Sequence, residues 1–162
     1  MSLAPIFQVK SQTDFRVHSV FLYNFTRLVA WPSDYRTGDF VIAVYGSSPI
    51  TRELEEMAKT RKAGTQDIAV VTFNSVAEIT KCHIIYVPAA QSRNLAGIIY
   101  TLNSRNINAL VVSDARGAIG NGSVINFTVV DGRQRFELSP ANAARMGLTL
   151  GAEIERLAIL SE

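Results

Sequence analysis

The sequence predicts an α/β protein: a three-layer sandwich around a mostly parallel central sheet, with an antiparallel hairpin near the carboxyl terminus. Short apolar runs alternate with segments of helical periodicity along most of the chain. Strands separated by helices require crossover connections, which give parallel sheets covered on both faces. Near the end the alternation stops, and Asp131-Gly132 separates two strand-like runs, as in a tight hairpin.

The first predicted element is a helix from Asp14 to Ala30. Its apolar side chains recur every three or four residues, which is the helical period. Pro32 disfavours helical geometry in Trp31, so we expect the helix to stop before this pair.

Four strands and the helices between them follow. Ser48-Pro49 is typical of a helix start, Ser75 and Glu78 are spaced as a capping box for a short helix, and Ser92 begins another. The strands are predicted from short apolar runs rich in branched residues. They span residues 40–45, 68–73, 82–87 and 107–113.

The last part of the chain predicts a hairpin and two short helices. A turn centred on Asp131-Gly132 places residues 124–130 opposite residues 133–138, so that Val129 faces Gln134 and Phe127 faces Phe136. Ser139-Pro140 then begins a helix that Gly147 ends, and Ile154 and Leu157 indicate a final amphipathic turn or two.

Length and composition indicate one compact domain. The chain has 162 residues, of which 48% are hydrophobic and 19% charged, which excludes a disordered or coiled-coil protein. We assign residues 1–13 to an amino-terminal extension and residues 14–162 to a single domain. A net charge of +2 is too small to indicate a nucleic-acid partner.

The sequence carries few groups for catalysis or metal binding. The predicted loops after the strands hold few acids, bases or thiols, and Asp114 is the exception. Cys82 and His83 are neighbours on a strand, so they point to opposite faces and cannot share an ion. His18 lies on the apolar side of the first helix, where a buried histidine is commoner than a ligand. We therefore predict no catalytic residue, no metal and no cofactor.

Aromatic residues are concentrated at the amino-terminal end. Eight of the fourteen Phe, Tyr and Trp residues precede residue 41. Val20 and Tyr23 lie opposite the main apolar arc of the first helix, beside Arg27. Interfaces favour tyrosine, tryptophan and arginine, so this side is a candidate protein contact. The alternative is that Tyr23 and Trp31 complete the core of the monomer.

Five short motifs in order carry a family resemblance. They are Phe21-Leu-Tyr-Asn-Phe25, Trp31-Pro32, Val112-Ser-Asp114, Ile125-Asn-Phe127 and Arg135-Phe-Glu137. In this order and spacing they resemble the YfiR-like family of bacterial periplasmic proteins, over roughly residues 14–160.

The resemblance implies a periplasmic, non-catalytic regulator whose signal peptide has been removed from this sequence. Such a protein represses a membrane-bound diguanylate cyclase, or acts with a sensor kinase, by contacting the periplasmic part of the partner. Release of the repressor raises cyclic-di-GMP and promotes biofilm formation, and members form homodimers. Family members often contain disulfides, which the single Cys82 cannot reproduce, so redox control is not expected to carry over.

Motif matches and the aromatic pattern together define the candidate partner- or ligand-binding residues. They are Val20, Tyr23, Asn24, Arg27, Trp31, Tyr35, Asp114, Asn126, Arg135 and Glu137. Part of this set has a structural alternative: Arg135 and Glu137 share one face and can pair, while Asn126 can tie down the hairpin.

Two other functions stay open. A periplasmic sensor would bind a small ligand, such as an aromatic metabolite or a cell-wall fragment, in a cleft beside Trp31 and Tyr35. A hydrolase or transferase would need residues that converge only in space, and Asp114 with Arg116 is where we expect them.

Overall fold

The computed structural model describes residues 13–161. These residues form five α-helices and ten strands. The helices are α1 (Phe15–Leu28), α2 (Ile50–Thr60), α3 (Leu95–Ser104), α4 (Pro140–Arg145) and α5 (Ala152–Leu157). The strands are β1 (Val29–Ala30), β2 (Phe40–Tyr45), β3 (Lys62–Ala63), β4 (Gln66–Phe73), β5 (Ile84–Val87), β6 (Leu110–Ser113), β7 (Ile125–Val130), β8 (Arg133–Leu138), β9 (Thr149–Leu150) and β10 (Ile159–Leu160).

The main sheet is mostly parallel, which confirms the predicted α/β class. Its eight strands have the order β10-β8-β7-β6-β5-β2-β4-β3. The five central strands, from β7 to β4, run parallel to one another. The order of strand addition reverses at β2: β4 lies on one side of β2, and β5 and β6 lie on the other. Doubly wound α/β folds have the same kind of switch. The three-layer arrangement stays a prediction.

The first helix ends earlier than its periodicity suggests. The Asp14 carboxylate caps it by accepting from the Val17 N–H at 3.1 Å. Val29 and Ala30, predicted to be helical, instead pair antiparallel with Leu150 and Thr149. This two-stranded ladder ties the end of α1 to the carboxyl-terminal part of the chain.

Strands β7 and β8 pair antiparallel through the turn at Asp131-Gly132. Phe127 lies opposite Phe136 and Val129 opposite Gln134, in the register that the turn predicts. Asp131 and Gly132 have φ values of 51° and 73°, the left-handed backbone that a two-residue type I′ turn requires.

Aromatic rings join α1 to the hairpin. The Phe25 ring packs edge-on against Phe136, with centroids 5.1 Å apart, and Phe21 contacts both Phe127 and Phe136. All four residues of β5 are buried, so both faces of the sheet are covered at its centre. This packing fixes α1 beside the end of β6, where the polar side chains described below collect.

The short predicted helix after Ser75 is one 3-10 turn, Val76–Glu78. The Ser75 hydroxyl makes no capping bond, and the Glu78 carboxylate accepts from the Asn74 N–H at 2.6 Å. The predicted capping box is therefore wrong at this position. Two strands also begin later than predicted, β5 at Ile84 and β6 at Leu110, although the His83 main chain already bonds to Val41 and Leu110.

Candidate functional site

A polar cleft opens where β6 ends and β7 continues. Its volume is about 540 Å³. The loop after β6 supplies Asp114 and Arg116, the hairpin supplies residues 126–130 with Gln134 and Glu137, and α1 supplies His18. We call this space the polar cleft.

Asn126 connects the hairpin to the loop after β6. Its side-chain oxygen accepts from the Ser113 hydroxyl and from the Ala115 N–H, both at 3.0 Å. Its amide nitrogen donates to Glu137 Oε1 at 2.8 Å. Asn126 therefore ties down the hairpin, as its structural alternative predicts. Among residues 13–161 Glu137 forms no ion pair with Arg135, so the predicted pairing of these two side chains is wrong.

His18 is buried on the floor of the polar cleft. Its ring stacks on Phe127, with centroids 3.9 Å apart, and its Nε2 lies 3.0 Å from Gln134 Oε1. Because Oε1 can only accept, Nε2 donates and Nδ1 is left as an acceptor in the neutral ring. Burial lowers the pKa of His18, while the Gln134 hydrogen bond and the Asp114 carboxylate act in the opposite direction. The neutral ring is therefore favoured.

Asp114 is held by Tyr86 from the adjacent strand β5. The Tyr86 hydroxyl donates to Asp114 Oδ2 at 2.7 Å. Burial, then the Asp114 charge, raises the pKa of Tyr86, so the hydroxyl keeps its proton and remains a donor. Within the described residues, Asp114 Oδ1 and His18 Nδ1 are buried atoms without a hydrogen-bond partner.

A second group of candidate residues lies on the outer side of α1. Val20 has 55% of its surface exposed. Tyr23 is half-buried, with the Arg61 guanidinium 5.3 Å from the centre of its ring, and Arg27 donates to Asn24 Oδ1 at 3.0 Å. We call Val20, Tyr23, Asn24 and Arg27 the helix surface.

Trp31 and Tyr35 form part of the interior and of a smaller cleft. Trp31 Nε1 donates to the His83 carbonyl at 2.8 Å, and the ring packs edge-on against Phe40. Tyr35 is buried, and its hydroxyl accepts from the Asn108 N–H at 2.8 Å. Both residues line a cleft of about 330 Å³ together with His83. We call this the Trp31 cleft.

The ten predicted site residues therefore fall into separate places. The structure brings Asp114, Asn126 and Glu137 together in the polar cleft, while Arg135 is exposed on β8. Sequence reasoning missed Tyr86 and Gln134, since an apolar strand and a hairpin give no sign that their polar atoms meet Asp114 and His18. The sequence signal for the polar cleft was the loop after β6, because its Asp114 and Arg116 are charged, whereas the other loops after strands hold few acids or bases.

Between residues 13 and 161, no three or more His, Cys, Asp or Glu side chains are grouped so that they could hold a metal ion. Over the same residues, none of the helices has the length and apolar character that crossing a bilayer requires.

Comparison with known proteins gives one family and a related fold. The sequence model of the YfiR/HmsC-like family matches residues 15–159. The crystal structure of a conserved domain protein from Vibrio cholerae is similar, with a TM-score of 0.58 and 13% sequence identity. The match covers 91% of this chain and 60% of that one, and at this identity it shows the fold alone. No curated protein gives a significant match.

Proposed function

The chain belongs to the YfiR/HmsC-like family, and from this premise we propose that it is a periplasmic regulator that represses a membrane signalling enzyme by direct contact. The partner is a diguanylate cyclase or a sensor kinase, reached through its periplasmic part. The family match carries the proposal, because it extends over nearly the whole domain. The helix surface supports it, since tyrosine and arginine are residues that contacts favour as anchors, and here they lie beside the exposed Val20.

Repression by contact requires that the regulator prefer one state of its partner. Shifting a two-state enzyme from 99% to 1% active takes about 5.5 kcal/mol of differential affinity. A few buried aromatic and arginine anchors can supply this amount. We propose that a homodimer of the chain presents two copies of the helix surface.

A binding experiment with solubilised inner membranes tests this proposal. We expect the chain to capture a membrane cyclase or kinase, and Val20→Lys to weaken capture about ten-fold or more, because a charge would be buried in the contact. Tyr100→Ala is the matched control, since Tyr100 is 75% exposed on α3 and lies outside the helix surface. Equal capture by all three proteins would contradict the assignment of the helix surface.

A small-molecule sensor is the second candidate, and the Trp31 cleft is the observation that favours it. Trp31, Tyr35 and Phe40 line this space beside the buried His83. A ligand at about one hundred times its dissociation constant adds about 2.7 kcal/mol of stability. In a thermal-shift screen of aromatic metabolites and cell-wall fragments, we expect at least one compound to raise the melting temperature of the protein. If no compound does so, this second function is abandoned.

The polar cleft is the place to test the enzyme alternative. It holds the predicted pair Asp114 and Arg116, and His18 and Glu137 line it as well. We propose that these groups serve binding rather than turnover, in keeping with a regulatory family. A hydrolytic activity that Asp114→Asn abolishes would contradict this.

A further inference from the structure

Strand β7 extends beyond its neighbour β6. The two strands pair only at Val112 with Ile125 and at Ser113 with Asn126. After Ser113 the chain turns away, whereas β7 continues to Val130 and pairs with β8 along its whole length. Among residues 13–161, no strand pairs with residues 127–130 on the side facing away from β8. We call these four residues the open edge.

The hairpin register tells which main-chain groups the open edge offers. Beside a two-residue turn, Val130 and Arg133 form a hydrogen-bonded pair, and bonded and non-bonded pairs then alternate along the ladder. Phe127 and Val129 are therefore in non-bonded pairs, and their N–H and C=O groups point away from β8. The pairing of Ser113 with Asn126 uses the Phe127 N–H, which leaves the Phe127 C=O and both groups of Val129 without a strand partner. Unpaired strand groups of this kind are a template for another strand.

The polar cleft runs along the open edge. Phe127 and Val129 share the face that packs on α1, while Thr128 shares the opposite face with Asn126 and Glu137. Residues of both faces line the same cleft. A space that reaches both faces of a strand must pass beside the edge of that strand, so the cleft leaves room where an added strand would lie.

The charges in the cleft select the occupant. Two carboxylates, Asp114 and Glu137, line it against one guanidinium, that of Arg116. The unpartnered atoms Asp114 Oδ1 and His18 Nδ1 both accept hydrogen bonds. A buried acceptor without a donor is unfavourable, so an incoming cation with N–H groups gains most here.

We propose that the open edge binds an extended segment of a partner protein as an added strand, and that a lysine or arginine of this segment reaches Asp114. The inference deepens the proposed function, because it names how a protein partner docks. It locates a contact distinct from the helix surface on α1.

Synthetic peptides test the docking without knowledge of the partner. The probe is an acetylated and amidated octapeptide of alternating threonine and valine with one central lysine. The matched control peptide has glutamate in place of lysine. We expect the full chain to bind the lysine peptide about ten-fold more tightly, with amide NMR shifts concentrated at Phe127 and Val129. Equal affinity for the two peptides, or no saturable binding of the lysine peptide, overturns the proposal.

Two variants of the chain separate the contribution of the open edge to peptide binding from that of the Asp114 charge. Val129→Pro removes one outward N–H without removing a bond to β8, so we expect the hairpin to persist and peptide binding to fall about ten-fold. Asp114→Asn keeps an acceptor for Tyr86 and should abolish the preference for lysine over glutamate. Retention of binding by Val129→Pro, or of the preference by Asp114→Asn, overturns the proposal.

The outcomes also separate this inference from the proposed function. Val20→Lys should leave peptide binding unchanged, because Val20 is not among the residues lining the polar cleft. Peptide binding without capture of a membrane protein would contradict the proposed function alone. Capture without peptide binding would contradict only the proposal that the open edge is a docking site. Self-association through the edge, or binding that requires removal of residues 1–12, would assign the edge to this chain and overturn a partner as its occupant.

Discussion

At the scale of single residues, Asn126 shows how one buried amide joins separate parts of the chain. Its side chain satisfies a hydroxyl on β6, a main-chain N–H in the loop and a carboxylate on β8. Without it, the Ala115 N–H and the Glu137 carboxylate would have to find new partners near the polar cleft. The position is therefore structural as well as part of the candidate site.

We predict that Asn126→Ala lowers the free energy of unfolding by about 2 kcal/mol, because it leaves buried polar groups without partners. Urea unfolding followed by circular dichroism measures this change. Arg135→Ala is the control, because Arg135 is exposed on the neighbouring strand, and its effect should stay within about 0.5 kcal/mol. Similar stability of the two variants would contradict the role given to Asn126.

Both histidines are buried, and this predicts how stability depends on pH. Burial lowers the pKa of His18 and of His83, and Lys81 adds to the effect at His83. Below the ordinary pKa of about 6.5, the unfolded chain binds protons that the folded chain takes up only at lower pH. The free energy of unfolding should therefore fall as the pH drops from 7 through 6.5 towards the lowered pKa values.

The contribution of His83 to this slope can be isolated. Its Nδ1 accepts from the Val41 N–H at 3.1 Å and its Nε2 lies 2.7 Å from the Tyr35 carbonyl, so the neutral ring fills both sites. We expect His83→Gln to be less stable at pH 7 but to lose less stability between pH 7 and pH 5.5. Equal pH dependence of the two proteins, measured by urea unfolding, would show that His83 does not contribute.

At the scale of elements, two glycines lead to opposite predictions. Gly132 has φ of 73° in the hairpin turn, and Gly97 lies inside α3 without a positive φ. Nothing lies within 4 Å of a Cβ added at either position, so backbone conformation decides the effect. Gly132→Ala should destabilise by about 1 kcal/mol, because an L-residue is strained there.

Gly97→Ala should stabilise the protein by about 0.5–1 kcal/mol, because alanine loses less backbone entropy in a helix. Thermal unfolding of the two glycine variants under identical conditions measures whether each substitution raises or lowers stability. A stabilising effect of Gly132→Ala would contradict the type I′ turn.

The elements that sequence predicts well are those with strong local signals. The periodicity of α1 predicts the first helix, and the Asp131-Gly132 pair predicts the hairpin, because each signal depends on residues close together in the chain. The two-residue strands were missed, because Val29–Ala30 has no pattern of its own and becomes a strand only by pairing with Thr149–Leu150. The polar cleft was only partly predictable, because His18, Tyr86 and Asp114 converge from three elements that are distant in sequence.

At the scale of the whole molecule, Cys82 reports on the opening of the core. It is fully buried, and burial raises the pKa of its thiol to about 12. Thiolate is the reactive form, so the folded protein should react very slowly with a thiol reagent near neutral pH. We predict that the labelling rate follows the population of the unfolded state as urea is added. Fast labelling without denaturant would contradict the buried position.

The packing of α1 has a consequence for biogenesis. Its ring-bearing side rests on Phe127 and Phe136, which are among the later residues to leave the ribosome. Until the hairpin is made, the part of the first helix that carries Phe21 and Phe25 lacks two of its aromatic partners, and this apolar surface stays more accessible during synthesis. A chain built in this way is a natural client for a holding chaperone, which would shield that face during translation and, for an exported protein, up to translocation.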